Sequence, residues 1–260
     1  MRQKTWLIVL TASILSLLLL FSGFVMSVRD VSNPPEKEVD MNTDKENDID
    51  SVDPGSHGTF NFVALGDSLT RGMGDENGKG FVGVLQDSLE QEHDRVIVHN
   101  YGVRGATLPE LLEQVEQTEI RRTIEEASVI TVTIGGNDLF DEGMLVEGLD
   151  LEKMEDIQST AIQNIDQLFD VIRSITAETP IVFVGLYNPF PDLEEAKTVA
   201  KIVHDWNYQV SLKANEYENI AVVPTYDIIR DPEEDLYSDH FHPNSKSYER
   251  IAERILETLK

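Results

Sequence analysis

Short β-branched apolar runs alternate with longer stretches of helical spacing along most of this chain, and that alternation narrows the fold more than any other feature. The strand runs are Thr59–Leu65, Val96–His99, Val129–Ile134, Ile181–Leu186 and Ile220–Val223. Between them lie helical patterns. Gly80–Glu92 carries Phe81, Val84, Leu85 and Leu89 on one face, and Leu108–Glu126 carries Leu111, Leu112, Val115 and Ile120. Further patterns run over Leu151–Ala177 and Asp192–Glu218, where Trp206 and Tyr208 are read as core. The chain closes on a helix from about Asn244, with Asn244 or Ser245 as its cap and Ile251, Ala252, Ile255 and Leu259 on its apolar face. Five strands alternating with helices predict an α/β domain with a five-stranded parallel sheet covered on both faces. In such sheets ligands bind outside the carboxyl ends of the strands.

The 58 residues ahead of the first strand are of a different kind. Arg2 and Lys4 precede an uncharged run from Trp6 to Val28. A membrane-spanning helix needs about 20 apolar residues, and basic residues before it favour a cytoplasmic N-terminus. Residues 1–28 are therefore expected to form a single-pass transmembrane anchor, with the rest of the chain extracellular. The alternative is a cleaved signal, with small residues at Ser22-Gly23 and Ser27, and a secreted product. Residues 29–57 are rich in Asp, Glu, Asn, Ser and Pro and poor in large apolar residues. Such a stretch buries too little surface to offset its ordering entropy, and it reads as a disordered acidic linker. Asp44, Asp48 and Asp50 approach the spacing of a calcium loop but lack its turn glycine. Residues 58–260 make the folded domain, and about 200 residues are enough for one sizeable core.

The net charge of −27 argues against nucleic acid as a partner. The chain has no cysteine, which removes disulfides, thiolate metal sites and a cysteine nucleophile. Oligomeric state is not written in the sequence; a monomer is the expectation.

Four segments carry chemistry: Gly66-Asp67-Ser68-Leu69, Asn100-Tyr101-Gly102, Gly135-Gly136-Asn137-Asp138 and Asp239-His240-Phe241-His242. The first three each follow a strand, so Ser68, Gly102 and Asn137 fall on one edge of the sheet. A serine hydroxyl is a weak nucleophile and needs a base. His242 is the candidate base and Asp239 the carboxylate that orients it; His240 is a rival, less well placed because it adjoins Asp239 in the chain. Donors for a developing oxyanion are offered by the Ser68 and Gly102 backbone N–H groups and by the Asn137 amide. Each segment alone is also an ordinary turn: Ser68 as a cap, Gly102 and Asn137 as turn residues, and Asp239 and His242 as a surface loop. Their joint occurrence at consistent strand ends favours the catalytic reading.

Together the four segments resemble the SGNH (GDSL) hydrolase family, with its bacterial lysophospholipase/thioesterase-like branch the nearest in block order, over about Phe60–Leu259. The resemblance implies a flavodoxin-like three-layer sandwich without cofactor or metal. It assigns Ser68 as nucleophile, Asp239 and His242 as acid and base, and Gly102 and Asn137 as oxyanion donors with Ser68. The implied activity is hydrolysis of carboxylic esters, with a small-molecule ester or lipid as substrate. An O-deacetylase or acyltransferase acting on carbohydrate or cell wall, and a non-catalytic surface binding module, stand as alternatives. Three further segments invite attention. The loop Asp75–Gly78 is either an entrance wall or a solvated loop, Leu139–Asp150 either covers an acyl pocket or packs on its own domain, and Tyr187–Phe190 is a substrate wall.

Overall fold

A computed structural model of the chain describes residues 59–140, 151–191 and 195–260. The expected anchor and linker, and residues 141–150 of the segment after the third strand, lie outside the described residues. No helix among the described residues is long and apolar enough to cross a membrane.

Five strands form one sheet: β1 (Phe60–Gly66), β2 (Val96–Gly102), β3 (Val129–Thr133), β4 (Ile181–Val184) and β5 (Ile220–Val223). All neighbouring pairs are parallel, in the order β2-β1-β3-β4-β5. The helices are α1 (Ser68–Arg71), α2 (Gly80–Glu92), α3 (Leu108–Val115), α4 (Thr118–Glu125), α5 (Gly136–Leu139), α6 (Leu151–Ile175), α7 (Ala196–Ala214), α8 (Pro232–Asp235) and α9 (Ser245–Thr258). The chain runs outward from β1 to β2, then crosses back to β3 on the other side of β1. That reversal opens a crevice at the carboxyl ends of β1 and β3.

The period of two along each strand sorts the core into two layers. In β1, Val63 and Leu65 face α3, α4, α6 and α7, whose Leu108, Ile124, Phe169 and Trp206 are fully buried. Phe62 and Ala64 face the opposite layer, where Phe81 and Leu85 of α2 meet Tyr248, Ile251 and Ile255 of α9. Strands β3 and β4, buried along their whole length, read as near-continuous β-branched and apolar runs. Full burial of each such side chain contributes about 1.5–3 kcal/mol.

Three details depart from the sequence reading. The single helix expected over Leu108–Glu126 is two, α3 and α4, with Gln117 extended between them. Thr107 and Glu110 close a reciprocal capping box at the start of α3. Tyr208 is not core: it is 62% exposed while Trp206 is fully buried. Two helical residues 200° apart cannot share a buried face. Strand β2 runs on to Gly102 rather than ending at His99, a shift that matters for the site.

Candidate active site

Strand β1 ends at Gly66, whose φ of +133° and contact with Thr133 leave no room for a side chain; an added Cβ would lie 2.0 Å from the Thr133 carbonyl oxygen. The sharp turn that follows is held by Asp67, which caps α1. Its Oδ1 accepts from Leu69 N–H at 3.0 Å and from Thr133 Oγ1–H at 2.8 Å. The Thr70 hydroxyl donates to the Leu65 carbonyl at 2.9 Å, and Thr70 N–H donates to Thr133 Oγ1 at 3.2 Å. This buried polar knot fixes the position of Ser68, which is itself buried. Burial pushes the Asp67 carboxyl up to about 6, further than the hydrogen bonds from Thr133 and Leu69 pull it down.

The segment before α9 brings a histidine onto that serine. His242 Nε2 lies 2.9 Å from Ser68 Oγ, and His242 Nδ1 lies 2.7 Å from Asp239 Oδ2. Asp239 Oδ1 accepts from the N–H groups of Phe241 at 3.0 Å and His242 at 2.9 Å, so the carboxylate organises its own loop. Partial burial raises the Asp239 carboxyl, but the His242 ring and these two N–H groups outweigh it and hold the group below its ordinary value. An ionised carboxylate only accepts, so Nδ1 carries the proton and Nε2 is left to accept from the serine hydroxyl. His240, the rival base, has φ +55° and makes no hydrogen bond to Asp239; its N–H donates to the Tyr237 carbonyl at 2.9 Å.

The loop is fastened from several sides. Tyr187 OH donates to the Phe241 carbonyl at 2.7 Å, and Tyr237 N–H donates to the His242 carbonyl at 2.8 Å. Asn244 caps α9 by accepting from Ser247 N–H. The loop containing Asp75 and Glu76 is neither an entrance wall nor merely solvated. Glu76 accepts from Ser245 N–H at 3.1 Å, and Asp75 binds the Lys79 and Gly80 N–H groups at 2.8 and 2.6 Å while contacting the Ser245 hydroxyl. It ties the nucleophile's side of the crevice to the helix that follows the histidine.

Opposite the histidine, one amide N–H of Asn137 donates to the Ala106 carbonyl at 2.8 Å, leaving the second N–H of that amide for a ligand. The neighbouring Asp138 carboxylate accepts from Leu108 N–H at 2.9 and 3.1 Å, at the first turn of α3. Burial raises the Asp138 carboxyl despite those bonds. Two consecutive residues after β3 thus pin the 103–107 loop.

That loop brings Gly105, and not Gly102, to the crevice. Gly102 N–H donates to Asn100 Oδ1 at 2.9 Å, and Gly102 does not line the cavity. An added Cβ there would lie 2.5 Å from Arg71 N, so this glycine serves the close approach of β2 to α1. Gly105 lines the crevice with Ser68 and Asn137, has φ +77°, and has open space where a Cβ would be. Among the described residues neither Gly105 N–H nor Ser68 N–H meets an acceptor. The signal was present in the sequence: the second glycine of Gly102-Val103-Arg104-Gly105 stands just before a helix cap, where a loop has to turn.

The crevice has a volume of about 610 Å³ and is walled by Arg104, Phe140, Pro189, Phe190 and Phe241 beside the residues above. Of the segment Tyr187–Phe190, Pro189 and Phe190 line this crevice. Among the described residues no three His, Asp or Glu side chains gather as metal ligands. A buried hydroxyl, a polarised imidazole and converging unpaired N–H donors beside an apolar wall suit attack on an acyl carbonyl.

Comparison with known proteins agrees. The sequence profile of the GDSL-like lipase/acylhydrolase family matches residues 64–250. The uncharacterized protein YpmR of Bacillus subtilis (strain 168) is 30% identical over 208 residues, covering 76% of this chain and 81% of that protein. The spore germination lipase LipC of Bacillus licheniformis is 29% identical, covering 76% of this chain and 95% of its own. The crystal structure of the lipase Lip_vut3 from a goat rumen metagenome superposes with a TM-score of 0.67 at 28% identity, over 76% of this chain and 96% of that one.

Proposed function

The chain belongs to the GDSL-like lipase/acylhydrolase family and is a carboxylic ester hydrolase, and on that premise we propose that Ser68, His242 and Asp239 carry the reaction. Ser68 Oγ attacks the ester carbonyl while His242 Nε2 takes its proton. The oxyanion that forms is met by Ser68 N–H, Gly105 N–H and the free N–H of Asn137. The protonated His242 delivers its proton to the departing alkoxide, which leaves as the alcohol. Water, deprotonated by His242, then releases the acid from the acyl-serine. Asp239 holds the imidazole in the tautomer that each step needs.

The observation that carries this reading is the pair of contacts at His242: 2.9 Å to Ser68 Oγ on one side and 2.7 Å to Asp239 on the other. Gly105 takes the donor role that sequence reasoning gave to Gly102, because the Gly102 N–H is already engaged. The test is turnover of a nitrophenyl ester by the wild type and by Ser68→Ala, with circular dichroism to check folding. Loss of turnover in a folded variant is the expected result. Undiminished turnover would remove Ser68 from the chemistry.

The domain is further read as an extracytoplasmic enzyme tethered by its N-terminal apolar run. Support comes from Arg2 and Lys4 ahead of the uncharged stretch Trp6–Val28 and from the acidic stretch after it. Protease added to intact cells should remove the domain. Protection until lysis would count against this placement.

A further inference from the structure

The crevice has two lobes that meet at Ser68. The broad one, of about 610 Å³, is lined by His242, Asp239, Arg104 and Gly105. The narrow one, of about 30 Å³, runs beneath Ser68 toward Leu69, Gly136, Leu186 and Tyr187, and neither His242 nor Gly105 reaches it. Asn137, Phe140, Pro189 and Phe241 border both.

The reading above places one substituent of the tetrahedral carbon on each side of the site. The oxyanion faces the three N–H donors. The leaving oxygen must face His242, because that ring protonates it. Only the acyl chain remains, and the lobe without His242 is the narrow one. We infer that the acyl chain enters the narrow lobe and the alcohol occupies the broad one. The natural substrates are then esters of short acids with bulky alcohols, and Leu186 sets the acyl length. This assignment rests on the roles given to Ser68 and His242 above.

The volumes set the order: the narrow lobe, at about 30 Å³ against about 610 Å³ for the broad one, takes the smaller of the two groups. Its walls are fastened. Asn207 clamps Leu186 at both backbone groups, with Leu186 N–H donating to Asn207 Oδ1 and Asn207 Nδ2 donating to the Leu186 carbonyl, each at 2.8 Å. Tyr187 OH holds the Phe241 carbonyl at 2.7 Å. The rings of Phe140, Phe190 and Phe241 brace one another, with centroids 6.2 and 5.8 Å apart. With the Leu186 backbone and the Tyr187 side chain pinned, the wall resists displacement as a unit. The broad lobe has proline and aromatic walls, with Arg104 among its lining, and space for a large alcohol.

The experiment is a chain-length series of nitrophenyl esters, acetyl to decanoyl, with the full-length chain and with Leu186→Ala. In the wild type kcat/KM should be highest for the shortest acyl groups of the series and fall at least about tenfold by octanoyl. Leu186→Ala should raise the ratio of octanoyl to acetyl kcat/KM by about tenfold or more; Leu186→Val, a milder truncation, should move the same ratio in the same direction and serves if the alanine variant does not fold. A wild-type rate that climbs with chain length, or an unchanged ratio in a folded variant, overturns the assignment of lobes while leaving the hydrolase reading intact. No turnover of any ester overturns both together.

Discussion

His242 and Ser68 are separated by 174 residues of chain, yet His242 Nε2 lies 2.9 Å from Ser68 Oγ. The serine stands on the turn after β1, and the histidine stands on the loop before the last helix. Packing of α9 against α2 in one layer of the core brings those ends together. The hydrogen bond is therefore a consequence of the doubly wound topology.

Asp239→Asn isolates the orienting carboxylate. An amide at this position can donate to Nδ1 as well as accept from it, which stabilises the tautomer with its proton on Nε2. We expect kcat to fall about 1,000- to 10,000-fold, with a thermal midpoint close to that of the wild type. Steady-state kinetics beside a melting curve checks this; a fall below tenfold would take Asp239 out of the relay.

Asn137→Ala removes one oxyanion donor and the bond to the Ala106 carbonyl. The expected change is a loss of about 100- to 1,000-fold in kcat with KM little altered. An effect confined to KM would make Asn137 a substrate-binding residue instead.

Gly102→Ala and Gly105→Ala should separate packing from catalysis. At position 102 the methyl would sit 2.5 Å from Arg71 N, so stability should fall by about 1–3 kcal/mol as the β2–α1 contact is forced apart. At position 105 there is open space, and only the left-handed φ of +77° opposes the change, at about 1–2 kcal/mol. Turning the Gly105 N–H away should lower kcat by about tenfold or more. Urea denaturation and kinetics on both variants measure the split; equal catalytic loss per kcal/mol in the two would dissolve the distinction.

The buried Asp67 makes a pH prediction with a definite sign. Its folded value of about 6 exceeds its ordinary 3.8, so between those limits the folded state binds more protons than the unfolded one. Stability from this group is therefore greatest below 3.8 and is lost as pH rises toward 6. Relative to Asp67→Asn, which has no proton to lose, the wild type should weaken by about 2–3 kcal/mol between pH 4 and pH 7. Denaturant unfolding of both proteins across that range tests it. A constant difference would show that Asp67 stays charged throughout.

The sheet was legible because buried parallel strands write themselves as β-branched runs, and Gly80–Glu92 and Ile220–Val223 match their elements end to end. Ser68 and Asn137 were legible because each sits in a short segment whose position at a strand end follows from that pattern, and Asp239 and His242 because they stand three residues apart just before the last helix. Gly102 was misread for a reason that can be located. The apolar run of the second strand ends at His99, which makes Gly102 the first loop glycine by sequence. In the folded chain β2 stays paired with β1 through Gly102, opposite Gly66, and the loop begins three residues later. No apolar periodicity marks His99-Asn100-Tyr101 as strand; only pairing with a neighbour does. The narrow lobe was likewise invisible, since it is made by Leu69, Leu186 and Tyr187 from separate strand ends, and the clamp from Asn207 comes from a helix.

The central claim is that His242 activates Ser68. Its most direct test is labelling with a fluorophosphonate, which bonds only to an activated serine, followed by mass spectrometry of the digested protein. One adduct per chain on Ser68, with labelling slowed at least about 1,000-fold in His242→Ala, is the expected result. An unlabelled Ser68, or labelling that proceeds at the wild-type rate without His242, would contradict the account.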